Sequence, residues 1–180
     1  MTRHLHVATA TRLLSWGAQA VPCAIGRQGA IAAADKREGD GCTPLGTWPL
    51  RWVYARPDRL GALRTGLPLL WLRECDGWCD APGDPLYNRP VTLPYAPSHE
   101  RLWRDDGLYD LIVVLGHNDD PVVPGRGSAI FLHCAASDED GTLAPTEGCV
   151  AVPRATLVDL LADCDTDSTI EIAESLTASG

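Results

Sequence analysis

The chain has 180 residues, of which 45% are hydrophobic, and this size and composition are typical of one globular domain with a buried core. The formal net charge of −9 argues against a nucleic-acid partner, because binding to a phosphate backbone rests on clustered Lys and Arg. No apolar stretch approaches the length of a membrane span, so we expect no membrane partner. We predict a single domain over residues 1–180 and leave its oligomeric state open.

Short strands separated by turn signals predict a mainly β fold. The first third of the chain has three strand candidates with polar or glycine breaks between them, which is the pattern of a β-meander. Later candidates are rich in aromatic and β-branched residues or form continuous apolar runs, as buried strands do. In chain order, the strands are predicted at 5–9, 12–16, 20–25, 48–54, 111–115, 129–133 and 168–172.

Two further segments differ from these strands. Residues 56–104 are rich in Pro, Gly, Asp and Trp and show little periodicity, and a long irregular segment of this kind usually forms a lid or a binding wall. Near the carboxyl end, Pro153 predicts the first turn of a helix that continues to about Cys164. This helix would have one apolar face, formed by Leu157, Leu160 and Leu161.

The residue pattern around Cys149 predicts a thiol nucleophile. An apolar strand ends at His133, and a later turn presents Cys149 directly after Gly148. Acyl transfer through a cysteine needs an imidazole to take or balance the thiol proton, and backbone N–H groups that face the oxyanion. We therefore predict Cys149 as nucleophile, His133 as its base or imidazolium partner, and the N–H groups of Gly148 and Cys149 as the oxyanion hole. The hydroxyl of Thr146 would hold the turn.

Each of these residues also has a simpler interpretation. A free cysteine often packs as a small buried hydrophobe, a strand-end histidine can be a satisfied core residue, and Thr146 can be an ordinary turn residue. The sequence names no acidic group that would orient His133, and a backbone carbonyl could orient the ring equally well.

Residues 133–150 resemble the signature of the L,D-transpeptidase catalytic domain (YkuD) family, in which a histidine is followed by Ser/Thr-x-Gly-Cys-Val/Ile. A second block, from Lys36 to Trp48, is similar to the family's upstream pattern of Lys, Gly-Asp and Thr-Pro-x-Gly-x-Trp. The resemblance spans roughly residues 7–161. It implies a β-sandwich of mixed sheets, with one helix following the nucleophile turn, and it implies no cofactor.

Three positions depart from the family pattern. Ala151 stands where many relatives carry Arg or Asn, and Glu147 stands where many carry His. Cys134 replaces the Gly or Ser that often follows the histidine. The thiol chemistry is unaffected, but a substrate anchor must come from somewhere other than position 151.

The resemblance implies a substrate and a bond. Cys149 would attack the carbonyl between meso-diaminopimelate and D-Ala in a murein tetrapeptide, giving a thioester, and the partner molecule is thus a murein peptide or peptidoglycan precursor. If water then accepts the acyl group, the protein is an L,D-carboxypeptidase. If a stem amine accepts it, the protein is an L,D-transpeptidase that forms cross-links. A catalytically idle murein-binding module is the alternative from another class.

The choice between these activities depends on the compartment. Residues 1–10 lack the uninterrupted apolar stretch of a signal peptide, and the seven cysteines are an odd number, unlike an evenly paired secreted scaffold. Both observations predict a cytoplasmic enzyme that trims tetrapeptides to tripeptides in peptidoglycan recycling. The alternative is a periplasmic protein whose export signal lies outside this sequence, in which case cross-linking becomes the leading hypothesis.

Several polar and aromatic residues are candidates for substrate binding. Asn118 follows a predicted buried strand, where strand ends feed binding loops, and Arg126 lies between two glycines that would let it reach a carboxylate. The alternative for both is a solvated surface loop. Four candidates lie in the irregular segment, in blocks that resemble those of compact proteobacterial family members, and loop packing is their alternative: Trp78, Asp80, Tyr87 and Asn88.

A metal site is weakly indicated. Cys75 and Cys79 are spaced as a possible half-site for zinc, but the sequence lacks a second ligand pair and any HExxH motif. We therefore expect no metal.

Overall fold

The computed structural model describes residues 4–137 and 139–175, and within these ranges the chain forms thirteen strands and one α-helix. The predicted mainly β class is confirmed. The strands are β1 (His4–Ala8), β2 (Leu13–Trp16), β3 (Gln19–Pro22), β4 (Ala30–Ala32), β5 (Thr43–Ala55), β6 (Leu69–Trp71), β7 (Asp76–Cys79), β8 (Pro90–Thr92), β9 (His99–Arg101), β10 (Leu111–Leu115), β11 (Phe131–Cys134), β12 (Val150–Val152) and β13 (Thr169–Ala173), and the helix α1 is Arg154–Leu161.

The long strand β5 joins the two halves of a mixed sheet with the strand order β12-β11-β10-β5-β13-β1-β2-β3. Its residues 46–49 pair with β13, and its residues 50–55 pair with β10. The predicted amino-terminal meander is present, because β1, β2 and β3 pair antiparallel in sequence order. Side chains of both halves share one core, so the sheet closes on itself as a sandwich.

The half formed by β5, β10, β11 and β12 has a hydrophobic core on each face. Successive side chains along a strand point to opposite sides, so neighbouring residues enter different cores. Val113, Leu132 and Val150 face the main core. The other face presents Ile112, Phe131 and the residue before β12, Cys149, to a second core. This second core fixes the position of the nucleophile. It also contains Tyr54, Leu72, Trp78, Leu102, Tyr109, Val114 and Ala129.

The segment 56–104 is more ordered than its composition suggests. It contains four short strands, three of which form a separate antiparallel sheet with the order β8-β7-β9. Trp78 and Leu102 of this region are buried in the second core, against the face that carries Cys149. Strands of three or four residues leave no detectable periodicity, which is why the sequence pattern indicated an irregular segment.

The single helix begins after Pro153, as predicted, and ends at Leu161 rather than near residue 164. Its three leucines are fully buried in the main core and pack it behind the nucleophile turn. In the part of the chain that the structure describes, no helix has the length and apolarity needed to cross a membrane.

Candidate active site

The parallel pairing of β11 with β12 brings the predicted nucleophile and base together. His133 is paired with Ala151, and Leu132 with Val150. Since side chains alternate along each strand, His133 and Cys149 project from the same face of the sheet. Both side chains line one cavity of about 190 Å³, with Arg104, Leu108, Tyr109, Ala136, Ala144, Pro145, Thr146, Glu147 and Ala151.

The thiol of Cys149 is held by backbone groups of the strand beside it. Its Sγ lies 3.2 Å from the carbonyl oxygen of Ala129, to which the thiol donates. The N–H of Phe131 points at the same sulfur atom, at 3.3 Å. Ala129 has a positive φ of 52°, which an alanine adopts only when its surroundings hold it there. The carbonyl of Ala129 therefore accepts a hydrogen bond from the thiol, and the N–H of Phe131 can stabilise a thiolate.

The turn that carries Cys149 is closed by the hydroxyl of Thr146. The Thr146 hydroxyl donates to the carbonyl of Cys149 at 2.6 Å and accepts from the N–H of Gly148 at 3.1 Å. Gly148 has a φ of 144°, and a Cβ there would lie 2.9 Å from the carbonyl oxygen of Cys42, so only glycine fits. Because the Gly148 N–H is bonded within the turn, its predicted oxyanion role would require this hydrogen bond to break.

Thr43 connects the upstream sequence block to the nucleophile, a role that the sequence analysis did not predict. Its hydroxyl accepts from the N–H of Gly26 at 2.8 Å and lies 3.4 Å from the carbonyl of Cys149. Thr43 is fully buried at the start of β5. The Thr-Pro pair of the upstream block therefore supports the turn that presents the thiol.

His133 is oriented by a backbone carbonyl. Its Nδ1 lies 2.9 Å from the carbonyl oxygen of Cys134, so Nδ1 carries the hydrogen and Nε2 carries the lone pair. The ring meets Tyr109 edge-on, with centroids 5.2 Å apart. The third group that the sequence could not name is thus the main chain of the residue that follows the histidine.

Burial keeps both reacting groups neutral. Desolvation lowers the pKa of His133 to about 4 and raises the pKa of Cys149 to about 12. The charge of Glu100 adds to the rise in the pKa of the thiol. At neutral pH the resting site therefore holds a thiol and a neutral imidazole rather than an ion pair, and a neutral imidazole has the free lone pair that a general base needs.

Glu100 and Tyr109 form a polar pair beside the reacting groups. The Tyr109 hydroxyl donates to Oε2 of Glu100 at 2.6 Å. Burial raises the pKa of both groups. Glu100 reaches the site from β9, where it is paired with Trp78. A three-residue strand in a Pro-rich segment gave no sequence signal for this position.

Asn88 and Trp78 lie beneath the nucleophile rather than in its cavity. The Asn88 Oδ1 accepts from the indole N–H of Trp78 and from the N–H of Ala129, each at 3.0 Å. Its Nδ2 donates to the carbonyls of His117 and Asn118, at 3.2 and 2.7 Å. The buried amide is thus fully used in joining β7 to the segment before β11, whose Ala129 contacts the Cys149 thiol. Both residues remain candidates for substrate binding, but their observed contacts are structural.

Tyr87 contacts a residue, Glu38, that lines a second, smaller cavity beside Cys149. Its hydroxyl donates to Oε2 of Glu38, which also accepts from the Ser128 hydroxyl at 2.8 Å. This cavity has a volume of about 70 Å³ and is lined by Lys36, Glu38, Gly39, Ser128, Ala129, Ile130, Glu147, Gly148 and Cys149. Asp80 directly follows β7, and its buried Oδ1 has no hydrogen-bond partner among the described residues.

Asn118 and Arg126 lie at a different cavity from the one that holds Cys149. Both line an open cavity of about 340 Å³ with Trp48 and His117. The Asn118 side chain closes its own loop, because its Nδ2 donates to the carbonyls of Val123 and Gly127. Arg126 donates to the carbonyl of Ala34. Their predicted role in substrate binding stays a prediction, and the arginine in the catalytic cavity is Arg104.

No group of three or more His, Cys, Asp and Glu side chains is placed to hold a metal ion within residues 4–137 and 139–175.

A buried thiol, an oriented imidazole and a sulfur-directed N–H around one cavity are the components of a cysteine acyl-transfer site. The sequence model of the L,D-transpeptidase catalytic domain, YkuD, matches residues 2–172. The chain belongs to this family, whose members are cysteine L,D-transpeptidases acting on peptidoglycan stem peptides. Searches of curated proteins and of solved structures each found no match.

Proposed function

We propose that this family member is an L,D-carboxypeptidase, which releases D-Ala from a murein tetrapeptide and leaves a tripeptide ending in meso-diaminopimelate. A cytoplasmic location, expected from the odd number of cysteines, belongs to the same proposal and would make soluble murein fragments the substrate. The carboxypeptidase reaction requires that water reach the thioester beside His133 after D-Ala has left.

The observation that carries this proposal is the small size of the cavities beside Cys149. The cavity shared with His133 is about 190 Å³, and the one beside Glu38 and Ser128 is about 70 Å³. A cavity needs only ~10–15 Å³ to hold a water molecule, whereas sites that bury a drug-sized ligand have ~300–1,000 Å³. The larger cavity, in which His133 can activate an acceptor, therefore has room for water once D-Ala has left, and it is smaller than the sites that bury larger ligands.

Acylation begins when the substrate carbonyl displaces the thiol from Ala129. The Cys149 sulfur attacks the carbonyl carbon of diaminopimelate, and the thiol proton passes to Nε2 of His133. Collapse of the tetrahedral intermediate breaks the bond to D-Ala, and the imidazolium returns the proton to the leaving amine. A thioester between Cys149 and the tripeptide remains, while the Cys134 carbonyl holds the ring in the tautomer that both transfers need.

Deacylation uses the same imidazole with water as the acceptor. His133 takes a proton from a water molecule, whose oxygen attacks the thioester carbonyl. The carbon–sulfur bond breaks, the tripeptide acid leaves, and the proton returns to the sulfur. The N–H of Phe131, already 3.3 Å from Sγ, stabilises the thiolate as it departs.

Mass spectrometry of the products in ¹⁸O-labelled water tests the proposal. We expect the purified protein to convert a murein tetrapeptide to a tripeptide that carries one ¹⁸O atom, with no change when excess tripeptide is added as amine acceptor. A Cys149→Ala protein should release no D-Ala, and a Cys134→Ala protein, changed at a neighbouring buried thiol, should keep the activity.

The same experiment separates the other two candidate functions. A cross-linked product that grows with acceptor concentration would show that the protein is a transpeptidase, as its family membership also allows. If no product forms but a tetrapeptide binds, the protein is an idle murein-binding module. Either result would overturn the carboxypeptidase proposal.

A further inference from the structure

Arg104 is the cationic residue that lines the cavity shared by Cys149 and His133. The other residues along this cavity are apolar, apart from Thr146, Glu147 and the reacting groups. Glu147 is already paired, because Nε of Arg27 lies 2.9 Å from its Oε2. An arginine facing a small cavity beside a nucleophile is the usual means of binding a carboxylate, since its planar donors match the two oxygens.

Arg104 is positioned by one contact to its backbone and by two contacts to its guanidinium. Its backbone carbonyl accepts a hydrogen bond from the buried side chain of Arg56. Its Cζ lies 5.0 Å from the centre of the Tyr109 ring, within the range of a cation–π contact. Its Nε lies 3.1 Å from Oδ2 of Asp106, which is itself fixed by the N–H of Leu108. The group is thus positioned before any ligand arrives.

These contacts leave the guanidinium able to accept a ligand. Asp106 is exposed, and such a surface ion pair is worth only ~0–1 kcal/mol, so a substrate carboxylate can share or displace it. The contacts to Asp106 use Nε and Nη2. The Nη1 edge is therefore the part of the group that a carboxylate in the cavity can reach.

Arg104 and His133 both contact the ring of Tyr109. The Tyr109 ring contacts the guanidinium and also meets the imidazole, with centroids 5.2 Å apart. In the proposed reaction His133 protonates the amine of the leaving D-Ala, and the carboxylate of that same residue is only one carbon away from the amine. The imidazole and the guanidinium therefore match the two polar ends of one small amino acid.

We propose that Arg104 binds the C-terminal carboxylate of the leaving D-Ala and so restricts the enzyme to the last peptide bond of its substrate. This inference rests on the proposed carboxypeptidase function and names the feature of the substrate that the site recognises. It also assigns an anchor to a cavity in which position 151 is only an alanine.

The first test compares a tetrapeptide acid with its C-terminal amide. A charge-assisted hydrogen bond contributes about 1.5–3 kcal/mol, so Arg104→Gln should lower kcat/KM for the acid by roughly 10–100-fold. The kcat/KM of the wild type should be lower on the amide than on the acid by a similar factor. On the amide, Arg104→Gln should lower kcat/KM only slightly further. Arg104→Lys should recover part of the activity on the acid. Arg73→Gln is the matched control, because Arg73 also pairs with a nearby aspartate, Asp76, but lines another cavity.

A second substrate distinguishes the two carboxylates that flank the scissile bond. Replacing diaminopimelate with lysine removes its distal carboxylate and keeps the D-Ala carboxylate. We expect the effect of Arg104→Gln to persist on the lysine tetrapeptide. If the effect disappears there, the ligand is the diaminopimelate carboxylate and the proposal is wrong. Equal losses on the acid and the amide, or no loss on the acid, would also overturn it.

Alkylation of Cys149 tests Arg104 without any murein substrate, so it separates this proposal from a failure of the proposed function. Iodoacetate is an anion and iodoacetamide is neutral, and a cation in the cavity favours the anion. Peptide mass spectrometry measures the alkylation rate of Cys149 by each reagent. The rate with iodoacetate divided by the rate with iodoacetamide should fall by roughly 10-fold in Arg104→Gln, because a cation that concentrates anions has been removed. It should not change in Arg73→Gln. An unchanged ratio in Arg104→Gln would refute the assignment.

Discussion

The side-chain amide of Asn88 holds the backbone of Ala129 in the conformation that receives the thiol of Cys149. The Oδ1 of Asn88 lies 3.0 Å from the N–H of Ala129, and the carbonyl of Ala129 lies 3.2 Å from the sulfur of Cys149. Ala129 has a left-handed backbone that costs free energy of order 1–3 kcal/mol, and the fixed amide helps to offset this cost. The loop residue Asn88, which is bonded to Trp78 of the small sheet, thus controls the geometry of the Cys149 thiol.

Substitution of Asn88 tests this control. Asn88→Ala leaves several buried donors and acceptors without partners, each costing about 1–3 kcal/mol, so we expect a total loss of stability of ~3 kcal/mol or more in urea unfolding. Asn118→Ala is the comparator at the chain's other asparagine, which is only partly buried and should cost less.

Asn88→Asp separates folding from catalysis at the same position. It retains the acceptor that faces Ala129 and Trp78 but loses the donors to the carbonyls of residues 117 and 118. We expect a folded protein with a lower kcat and a nearly unchanged KM, because the thiol rather than the substrate cavity is displaced. A stable Asn88→Ala protein with wild-type kcat would contradict the role given to this residue.

The pH dependence of kcat/KM should report a neutral thiol–imidazole pair. The active form needs His133 unprotonated, and burial lowers the pKa of this histidine to about 4, so activity should fall only as the pH drops below about 5. Because burial raises the pKa of Cys149 to about 12, we expect no limb from thiol ionisation near neutral pH. Steady-state rates over this range give the measurement. A bell-shaped profile whose acid limb comes from protonation of a Cys149 thiolate, and whose alkaline limb comes from loss of the His133 imidazolium proton, would instead indicate a preformed ion pair.

Much of the fold and the centre of the site could be predicted from sequence. The apolar run ending at His133 and the glycine before Cys149 are local signals, and the parallel pairing of β11 with β12 placed their side chains on one face. The strand prediction at 111–115 matches β10. These features depend on residues close together in the chain, for which periodicity and turn chemistry are informative.

The surroundings of the site depend on long-range packing and could not be predicted in the same way. Glu100 and Arg104 reach it from a segment whose strands are too short to show a period. The sequence predicts Asn88 as a substrate-binding residue. A polar residue in an irregular segment gives no indication of what it contacts, so its structural hydrogen bonds could not be predicted. Its neighbours, residues 117, 118 and 129, are separated from it by up to 41 positions.

The stability of the folded protein should decrease as the pH falls from 7 to 5. His133 has a pKa of about 4 when folded, below the ~6.5 of an unfolded histidine, so the unfolded chain binds more protons in this range. The stability that His133 contributes to the fold is complete above pH ~6.5 and is lost as the pH falls towards 4. The loss of folding free energy amounts to about 2 kcal/mol between pH 7 and pH 5. Burial also lowers the pKa of His117 and adds to the loss in the same direction.

Urea unfolding at the two pH values measures this effect. His133→Asn should show a smaller loss of stability than the wild type, by about 2 kcal/mol, while His4→Asn, at an exposed position, should behave as the wild type. If the wild type and His133→Asn lose the same stability, the buried histidine does not have the lowered pKa on which the general-base mechanism depends.

Substitution of Glu100 tests the electrostatic contribution to thiol reactivity. Glu100→Gln removes the charge that raises the pKa of Cys149 and keeps an oxygen that can accept from the Tyr109 hydroxyl. The pKa of the thiol should decrease, and the rate of iodoacetamide alkylation at Cys149 should rise at alkaline pH, by up to ~10-fold for a change of one pKa unit. Glu74→Gln, a substitution at another glutamate that does not contribute to the Cys149 pKa, serves as the control. An unchanged alkylation rate in Glu100→Gln would show that burial alone keeps the thiol protonated, and that the nearby carboxyl group serves only to fix Tyr109 against the ring of His133.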